Sequence, residues 1–205
     1  MNRLTLDEAA TSLQRGEVVV VPTDTVYGVA ARLDDAAAVR RLFEVKSRPL
    51  DVALPVLVGS LEDVARLGVE WPSRAQLLAE RFWPGAVTIV VPAPPEVAQL
   101  VGARNTLGIR WPRHDMLRAL VSACGALTVT SANEHAHPPC TNVLEVLATK
   151  WAAPVAGVLD GGVCDAPVSS VVEINPDGWR LRRSGALSRA ELEEVLGPEL
   201  PTRDQ

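Results

Sequence analysis

Apolar residues recur every three or four positions in several segments of the chain, a spacing typical of helices that bury one face. In the first of these, segment 4–15, Leu6, Ala9 and Leu13 fall on one helical face. The same spacing predicts six further helices, at 34–45, 61–67, 73–82, 115–124, 142–151 and 189–196. The chain is therefore expected to contain many short amphipathic helices.

Runs of apolar, often β-branched residues between Gly and Pro predict the strands. The clearest run is the four consecutive valines at 18–21, which fits a strand covered on both faces. The remaining predicted strands lie at 53–58, 86–91, 107–111, 126–130, 155–159, 168–174 and 179–182. Strands and helices alternate without a strict βαβ order, so the pattern predicts an α/β (α+β-like) fold: a twisted mixed β-sheet with flanking helices.

Length and composition favour one globular domain. The 205 residues are 47 % hydrophobic and 22 % charged, and they contain no internal repeat, low-complexity block or linker. We expect a single domain over residues 5–196, followed by a loose C-terminal tail at 197–205 that contains two prolines.

Composition also restricts the function classes. No apolar run approaches the ~18–20 residues that span a membrane, and the acidic N-terminal turn is unlike a signal peptide, so we expect a cytoplasmic protein without membrane contact. The net charge of −5 argues against extended nucleic-acid contact. Three widely spaced cysteines and three histidines show no spacing typical of a disulfide framework or a metal site. The chain also lacks a P-loop and a Gly-x-Ser-x-Gly elbow.

The loop after the valine strand carries the first candidate chemistry. Thr23 and Thr25 offer hydroxyls, Asp24 a carboxylate and Tyr27 an aromatic wall with a polar tip. Gly28 would allow a ligand to approach the backbone closely. Ligands of open α/β sheets bind at the carboxyl ends of strands, where this loop lies. The alternative is a strand-to-helix turn whose polar side chains only satisfy backbone amides.

Three cations are candidates for binding anions. Lys46 and Arg48 precede Pro49 and can converge on one anion, or they can simply complement the dipole at a helix C-terminus. Arg110 lies inside an apolar strand, where its charge requires a partner. That partner is either an acidic residue of the chain or a ligand carboxylate or phosphate, and the sequence leaves both open.

Polar side chains also lie at the ends of other predicted strands. Ser131 and Asn133 follow strand 126–130, Ser169 lies at the start of strand 168–174, and Arg183 follows strand 179–182. Serine and asparagine side chains can hydrogen-bond a nucleotide or an amino acid, although ordinary loops have the same composition.

Seven motifs in order resemble those of the YrdC-like family over about residues 5–196, at the length of its short single-domain branch. They are Pro-Thr-Asp-Thr-Val-Tyr-Gly at 22–28, Lys-x-Arg-Pro at 46–49, Pro-Gly-x-Val-Thr at 84–88, Gly-Ile-Arg-x-Pro at 108–112, Thr-Ser-Ala-Asn at 130–133, Ser-x-Val-Val at 169–172 and Arg-x-Gly-Ala at 183–186. The resemblance implies a concave basic pocket enclosed by a twisted mixed sheet. It also implies a nucleotidyltransferase that converts L-threonine, bicarbonate and ATP, with Mg²⁺, into threonylcarbamoyl-adenylate and pyrophosphate. A partner transferase would use this product to modify a tRNA adenosine.

The same resemblance implies roles for individual residues. Those expected to bind ATP are Lys46, Arg48, Thr106, Ser131, Asn133, Thr141 and Arg183. Those expected to bind threonine are Thr25, Tyr27, Arg110, Ser131 and Ser169. Lys46 and Arg48 are the expected catalytic cations, and no residue is assigned to a metal. The reaction needs no covalent protein nucleophile, so positioning and neutralisation of phosphate charge would supply most of the rate.

Three departures from the family pattern keep two alternatives open. Val52 stands where many members carry Asn, Leu57 stands where some carry His, and residues 134–136 replace a usual Ser-Gly pair. One alternative is a nucleotide- or RNA-binding relative that makes no adenylate. The other is a carbamoyl-adenylate enzyme that uses a different acceptor.

Overall fold

Ten β-strands form one open mixed sheet in the computed structural model, which describes residues 1–47, 49–50, 52–134 and 137–200. The strands are β1 (Asn2–Leu4), β2 (Val19–Val21), β3 (Gly28–Arg32), β4 (Val56–Leu57), β5 (Val87–Pro92), β6 (Thr106–Arg110), β7 (Leu127–Ser131), β8 (Gly157–Leu159), β9 (Ser170–Asn175) and β10 (Gly178–Arg183). Their order across the sheet is β1-β8-β2-β3-β7-β4-β6-β5-β9-β10. Parallel and antiparallel neighbours both occur, for example β5 with β9 and β5 with β6. The predicted mixed sheet is therefore confirmed.

Eight helices accompany the sheet in the described residues. They are α1 (Leu6–Gln14), α2 (Ala36–Val45), α3 (Leu61–Arg66), α4 (Ser73–Phe82), α5 (Pro95–Leu100), α6 (Asp115–Cys124), α7 (Val143–Ala148) and α8 (Arg189–Leu196). Thr5 and Glu8 form a capping box at the start of α1, and Ser188 and Glu191 form another at α8. These side chains satisfy amides that have no partner within the helix, so local chemistry sets where both helices begin.

The two faces of the sheet are covered to different extents. On one face, apolar residues of α2, α4, α7 and α8 pack against alternate strand residues such as Val29, Ile89 and Ile109 and form the larger core. On the other face, Leu13 of α1 and Leu120 of α6 pack over β2, β3, β7 and β8. The second face of β5, β6 and β9 carries no part of this smaller core, and a cavity lies over it.

Three short elements, β1, β3 and α5, are missing from the sequence prediction. β3 begins with a glycine, contains two alanines and lacks a β-branched run, so its composition does not indicate a strand. It forms because β2 and β7 pair with its two edges and satisfy its backbone groups. The loop at 22–27 consequently joins two antiparallel strands, so the predicted connection from a strand directly to a helix is wrong.

The start of the predicted loose tail is bound to the edge strand β10. The Trp179 indole donates to the carbonyl of Gly197 at 3.0 Å, and the amide of Leu200 donates to the carbonyl of Trp179 at 3.1 Å. The amide of Leu181 donates to the Glu199 carboxylate at 2.7 Å. Residues 197–200 therefore cover part of the sheet edge, which corrects the prediction for them, and positions 201–205 lie outside the described residues.

The structure also bears on the predictions about membrane contact and about the three cysteines. Within the part of the chain that the structure describes, no helix combines the length and the apolar character needed to cross a membrane. Cys124, Cys140 and Cys164 are buried free thiols.

Candidate active site

A cavity of about 360 Å³ lies over the second face of β5, β6 and β9 and extends to β3, β4 and β7. Alternation along β6 explains its floor, because Thr106, Gly108 and Arg110 line the cavity while Leu107 and Ile109 are buried in the larger core. Thr106 and Arg110 lie at opposite ends of this strand, so the floor extends for about 13 Å. A cavity of this volume is within the usual range for small-molecule sites.

Seven residues predicted for the site line this cavity. They are Thr25, Tyr27, Thr106, Arg110, Ser131, Ser169 and Arg183. They come from five segments of the chain: the loop at 22–27, β6, β7, the residue before β9 and the end of β10. The fold thus brings together side chains that are far apart in sequence.

The loop at 22–27 is organised by the hydroxyl of Thr23. This hydroxyl donates to the carbonyl of Val26 at 2.7 Å and accepts the amides of Thr25 and Val26 at 3.0 and 3.1 Å. The hydroxyls of Thr23 and Thr25 are 2.9 Å apart. The Thr23 proton is directed to Val26 and both Thr23 lone pairs accept amides, whereas Thr25 Oγ1 accepts Arg110 Nη1 and has a second lone pair. Thr23 is therefore a backbone-satisfying turn residue, whereas Thr25 presents an acceptor to the site.

Arg110 is buried at the end of β6, with 7 % of its surface exposed, and it donates to three partners. Nε donates to the carbonyl of Gly85 at 3.0 Å, Nη1 to Thr25 Oγ1 at 3.2 Å and Nη2 to Asp24 Oδ1 at 2.7 Å. Burial lowers the pKa of Arg110, and the Asp24 carboxylate opposes this shift. The acidic partner that the sequence left open is therefore Asp24, which holds the guanidinium without itself lining the cavity.

Arg183, at the end of β10, is exposed and has no carboxylate partner among the described residues. Its Nε and Nη2 donate to the carbonyl of Ser169 at 3.0 and 2.8 Å, and Nη2 also donates to Ser169 Oγ at 2.9 Å. Partial burial of the guanidinium and the nearby charge of Arg110 lower the pKa of Arg183. Both effects disfavour the charged guanidinium, so an anion bound between the two arginines would be stabilised.

Thr88 is a site residue that the sequence prediction missed. It is buried in β5, lines the cavity, and its hydroxyl lies 3.1 Å from Ser169 Oγ. The sequence feature that could have identified Thr88 is its position as a polar residue inside an apolar strand, at the end of the motif at 84–88.

Tyr27 and Gly28 have structural contacts that the sequence did not indicate. The Tyr27 hydroxyl donates to the carbonyl of Gly162 at 2.8 Å and accepts the amide of Gly161 at 3.1 Å. Burial raises the pKa of Tyr27 to about 12, so the phenol stays neutral and anchors this loop. A Cβ at Gly28 would lie 2.4 Å from a Val129 methyl. The glycine is therefore required for close strand packing, and because Gly28 also lines the cavity, the expectation that it admits a ligand stays a prediction.

Lys46, Ser131 and Asn133 form a hydrogen-bonded group in which Ser131 alone lines the cavity. Lys46 Nζ donates to the Asn133 backbone carbonyl and, at 3.0 Å, to its side-chain oxygen Oδ1. Ser131 Oγ donates to the same Oδ1 at 2.6 Å. Lys46 and Asn133 are thus connected to a cavity-lining residue by hydrogen bonds, although neither of them lines the cavity. Arg48, the other predicted cation, lies outside the described residues.

Thr141 is the predicted site residue that the structure ties to a helix start. Its amide and hydroxyl donate to the Glu145 carboxylate at 2.7 and 3.2 Å, next to the N-cap Asn142 of α7. The side chain does not line the cavity. Thr141 therefore stays a prediction for ATP binding, with a structural role in the geometry observed.

Two of the departures from the family pattern are visible. Leu57 is buried and lines the cavity, whereas Val52 is exposed. In the third, Glu134 Oε1 accepts the amide of Lys150 at 3.1 Å, and residues 135–136 lie outside the described part. Among the residues that are described, no cluster of three His, Cys, Asp or Glu side chains could hold a metal ion.

A family model and several curated proteins match this chain. The model is that of the Sua5/YciO/YrdC family, with the description telomere recombination, and it matches residues 11–185. Threonylcarbamoyl-AMP synthase of Bacillus subtilis (strain 168) is 34 % identical over 195 residues, which is 93 % of this chain. The enzyme of the same name from Pyrococcus abyssi (strain GE5 / Orsay) is 35 % identical over 193 residues, or 92 % of this chain. The chain spans 56 % of the length of each.

One relative of similar length and two solved structures extend this likeness. Putative threonylcarbamoyl-AMP synthase of Mycobacterium tuberculosis (strain ATCC 25618 / H37Rv) is 35 % identical over 92 % of this chain and 88 % of its own length. P. abyssi Sua5 complexed with L-threonine superposes with a TM-score of 0.88 at 32 % identity, covering 96 % of this chain and 59 % of that one. E. coli YciO, at 22 % identity, has a TM-score of 0.76 and covers 88 % of both chains, which shows a shared fold.

Proposed function

The chain belongs to the Sua5/YciO/YrdC family, and from this membership we propose that it is a threonylcarbamoyl-AMP synthase. It would join L-threonine, bicarbonate and ATP into threonylcarbamoyl-adenylate and pyrophosphate. The observation that carries the proposal is the cavity, where two arginines and several hydroxyl side chains converge from distant segments. The names of the relatives and the threonine-bound P. abyssi structure support it.

We place threonine at the end of the cavity where Arg110 lies. The buried guanidinium has two N–H donors beyond the three bonds to the described residues, and these can bind a carboxylate. Thr25 Oγ1 is an acceptor that can hold the amino group of the substrate. Ser169 adds a hydroxyl, and Tyr27 contributes the wall of its ring because its hydroxyl is bound to the loop at 161–162.

We place the ATP phosphates beside Arg183, whose charge has no acidic partner among the described residues. Thr106, at the opposite end of β6 from Arg110, would contact the nucleotide, and Ser131 would lie between the two substrates. Lys46 and Asn133 would reach the phosphates from behind Ser131. Arg48 and Thr141 are retained as ATP-binding candidates on the family resemblance.

The two chemical steps need binding and charge stabilisation more than a reactive protein group. In the first, the threonine amine attacks the carbon of bicarbonate, which forms a carbamate and releases water. In the second, a carbamate oxygen attacks the α-phosphorus of ATP, and pyrophosphate leaves. Fixing three reactants in one cavity removes much of their translational entropy before reaction. Lys46 and Arg48 would stabilise the charge that develops on the phosphates.

Mg²⁺ would arrive with ATP. We assign it no protein ligand, since substrate phosphates and water can supply most of its ligands, and its chemistry would be to screen phosphate charge. A tRNA threonylcarbamoyl transferase would take the product, and the cytoplasmic location stays a prediction of the sequence.

The test is a reaction with ATP, Mg²⁺, bicarbonate and labelled L-threonine. We expect pyrophosphate that depends on threonine, together with threonylcarbamoyl-adenylate detected by mass spectrometry. Folded, magnesium-replete protein that releases no threonine-dependent pyrophosphate would contradict the proposal. A panel of other amino acids and carbamoyl donors, run in parallel, separates this function from that of a carbamoyl-adenylate enzyme with a different acceptor.

A further inference from the structure

We propose that Thr88 is a positioning residue for the amino-acid substrate, because its hydroxyl orients the one proton that the Thr88–Ser169 pair donates to a carboxylate oxygen in the cavity. This inference rests on the proposed function, which supplies the amino acid. It adds a residue to which neither the sequence motifs nor the family resemblance gave a role.

The proposal follows from the hydrogen bonds that the Ser169 hydroxyl can donate and accept. A serine hydroxyl has one proton and two lone pairs. Arg183 Nη2 donates to Ser169 Oγ at 2.9 Å, which occupies one lone pair. Thr88 Oγ1 lies 3.1 Å from Ser169 Oγ, and either hydroxyl can be the donor. If Thr88 donates, both Ser169 lone pairs are filled, so the Ser169 proton can go only to a third partner.

The reverse orientation gives the same result for the cavity. If Ser169 donates to Thr88, the Thr88 proton is the one left over, and both residues line the cavity. Either way the pair offers one O–H donor. The two hydroxyls therefore act as one unit: without Thr88 the Ser169 hydroxyl keeps its proton but loses the partner that orients it.

The shape of the site fixes the Thr88 side chain in this role. A Cβ placed on Gly108 would lie 3.3 Å from the Thr88 methyl Cγ2, so the methyl group packs over the glycine of the neighbouring strand. Because a β-branched side chain has few χ1 rotamers, this contact directs the hydroxyl towards Ser169. A valine at this position would keep the shape and lose only the hydroxyl.

The chemistry of the cavity lining indicates what receives the proton. Arg110 and Arg183 both line the cavity, and none of its described lining residues is Asp or Glu. This part of the site therefore offers donors and cations without an acidic acceptor. A carboxylate oxygen of the bound amino acid matches that environment, since hydrogen bonds to charged groups are the stronger kind.

The experiment measures threonine and ATP affinity by calorimetry for the parent protein, Thr88→Val, Thr88→Ser, Ser169→Ala and the Thr88→Val/Ser169→Ala double variant. Thr128→Val is the matched control, because Thr128 is a buried strand threonine that donates to the carbonyl of Pro55 and does not line the cavity. Thermal unfolding of each variant reports its folding.

We expect Thr88→Val to raise the threonine Kd about tenfold and to change the ATP Kd less than about twofold. Thr88→Ser should stay within about threefold of the parent because it restores the hydroxyl. The threonine Kd of the double variant should be at most about twofold higher than that of the single variant with the higher Kd, because the hydroxyls act together.

Three results would overturn the inference. One is parent-like threonine binding by folded Thr88→Val, and another is a double variant whose loss equals the product of the single losses. The third is an equal loss in Thr128→Val, which would indicate a general packing effect. If the parent itself neither binds nor uses threonine, the proposed function fails as well, and this outcome is distinct from a failure confined to Thr88.

Discussion

The two arginines of the cavity lie close together but have different surroundings. Arg110 is buried and held by a carbonyl, a hydroxyl and the Asp24 carboxylate, so its charge is largely neutralised within the protein. Arg183 is exposed and bound only to the carbonyl and hydroxyl of Ser169, so among the described residues its charge is not neutralised.

This difference suggests that the two arginines bind different anionic groups. A guanidinium fixed by three bonds and an ion pair provides accurate geometry, which suits recognition of one carboxylate. A guanidinium without an acidic partner provides a stronger field in the cavity, which suits the multiply charged phosphates of ATP. The roles that the family resemblance implies for these two residues would therefore have separate physical causes.

The strongest test of the Arg110 side is Asp24→Ala. This change leaves a buried arginine charge without its partner, and we expect the free energy of unfolding to fall by about 3–5 kcal/mol. Asp34→Ala is the control, because Asp34 pairs with Arg32 at the surface and such pairs are worth at most about 1 kcal/mol. Urea unfolding measures both variants. Equal losses would mean that Arg110 does not depend on Asp24.

Arg110→Ala tests whether the fixed guanidinium serves threonine. Removing a charged bidentate partner should raise the threonine Kd about a hundredfold and leave the ATP Kd within about threefold. Calorimetric titration with each ligand checks the difference, and circular dichroism checks the fold. Similar losses for both ligands would contradict a role confined to the carboxylate.

Lys46→Ala extends the comparison to the cation behind Ser131. If Lys46 stabilises phosphate charge in the transition state, kcat should fall about thirtyfold with little change in the threonine KM. Lys150→Ala, at the exposed second lysine of the chain, is the matched control. An unchanged kcat in Lys46→Ala would exclude the predicted phosphate contact.

Arg183→Ala should have the smallest effect, because water can replace much of what an exposed guanidinium supplies. We expect the ATP KM to rise about tenfold, with unfolding free energy close to that of the parent. Arg182→Ala, which removes an exposed arginine paired with Glu173, serves as the control. A larger loss for threonine than for ATP would reverse the assignment of the two arginines.

Much of the architecture could be predicted from the amino-acid sequence. The helices with strong apolar periodicity and the valine-rich strand form where they were predicted, since their local preferences agree with the packing around them. β3 was missed because its sequence has little strand preference, and its pairing with β2 and β7 decides its conformation. The start of the tail was missed because its contacts are made to β10, which no local pattern reveals.

The sequence by itself determined the family, the mixed α/β architecture and most residues of the candidate site, because ordered motifs record which side chain types are present. Only the tertiary structure decided how they are used. It showed that Asp24 neutralises Arg110, that Gly28 serves strand packing, and that Thr88 joins Ser169. The physical reason is that these contacts join strands and loops that are distant along the chain. The partner of a hydrogen-bonding group or a buried charge is set by three-dimensional proximity, which local sequence patterns do not show.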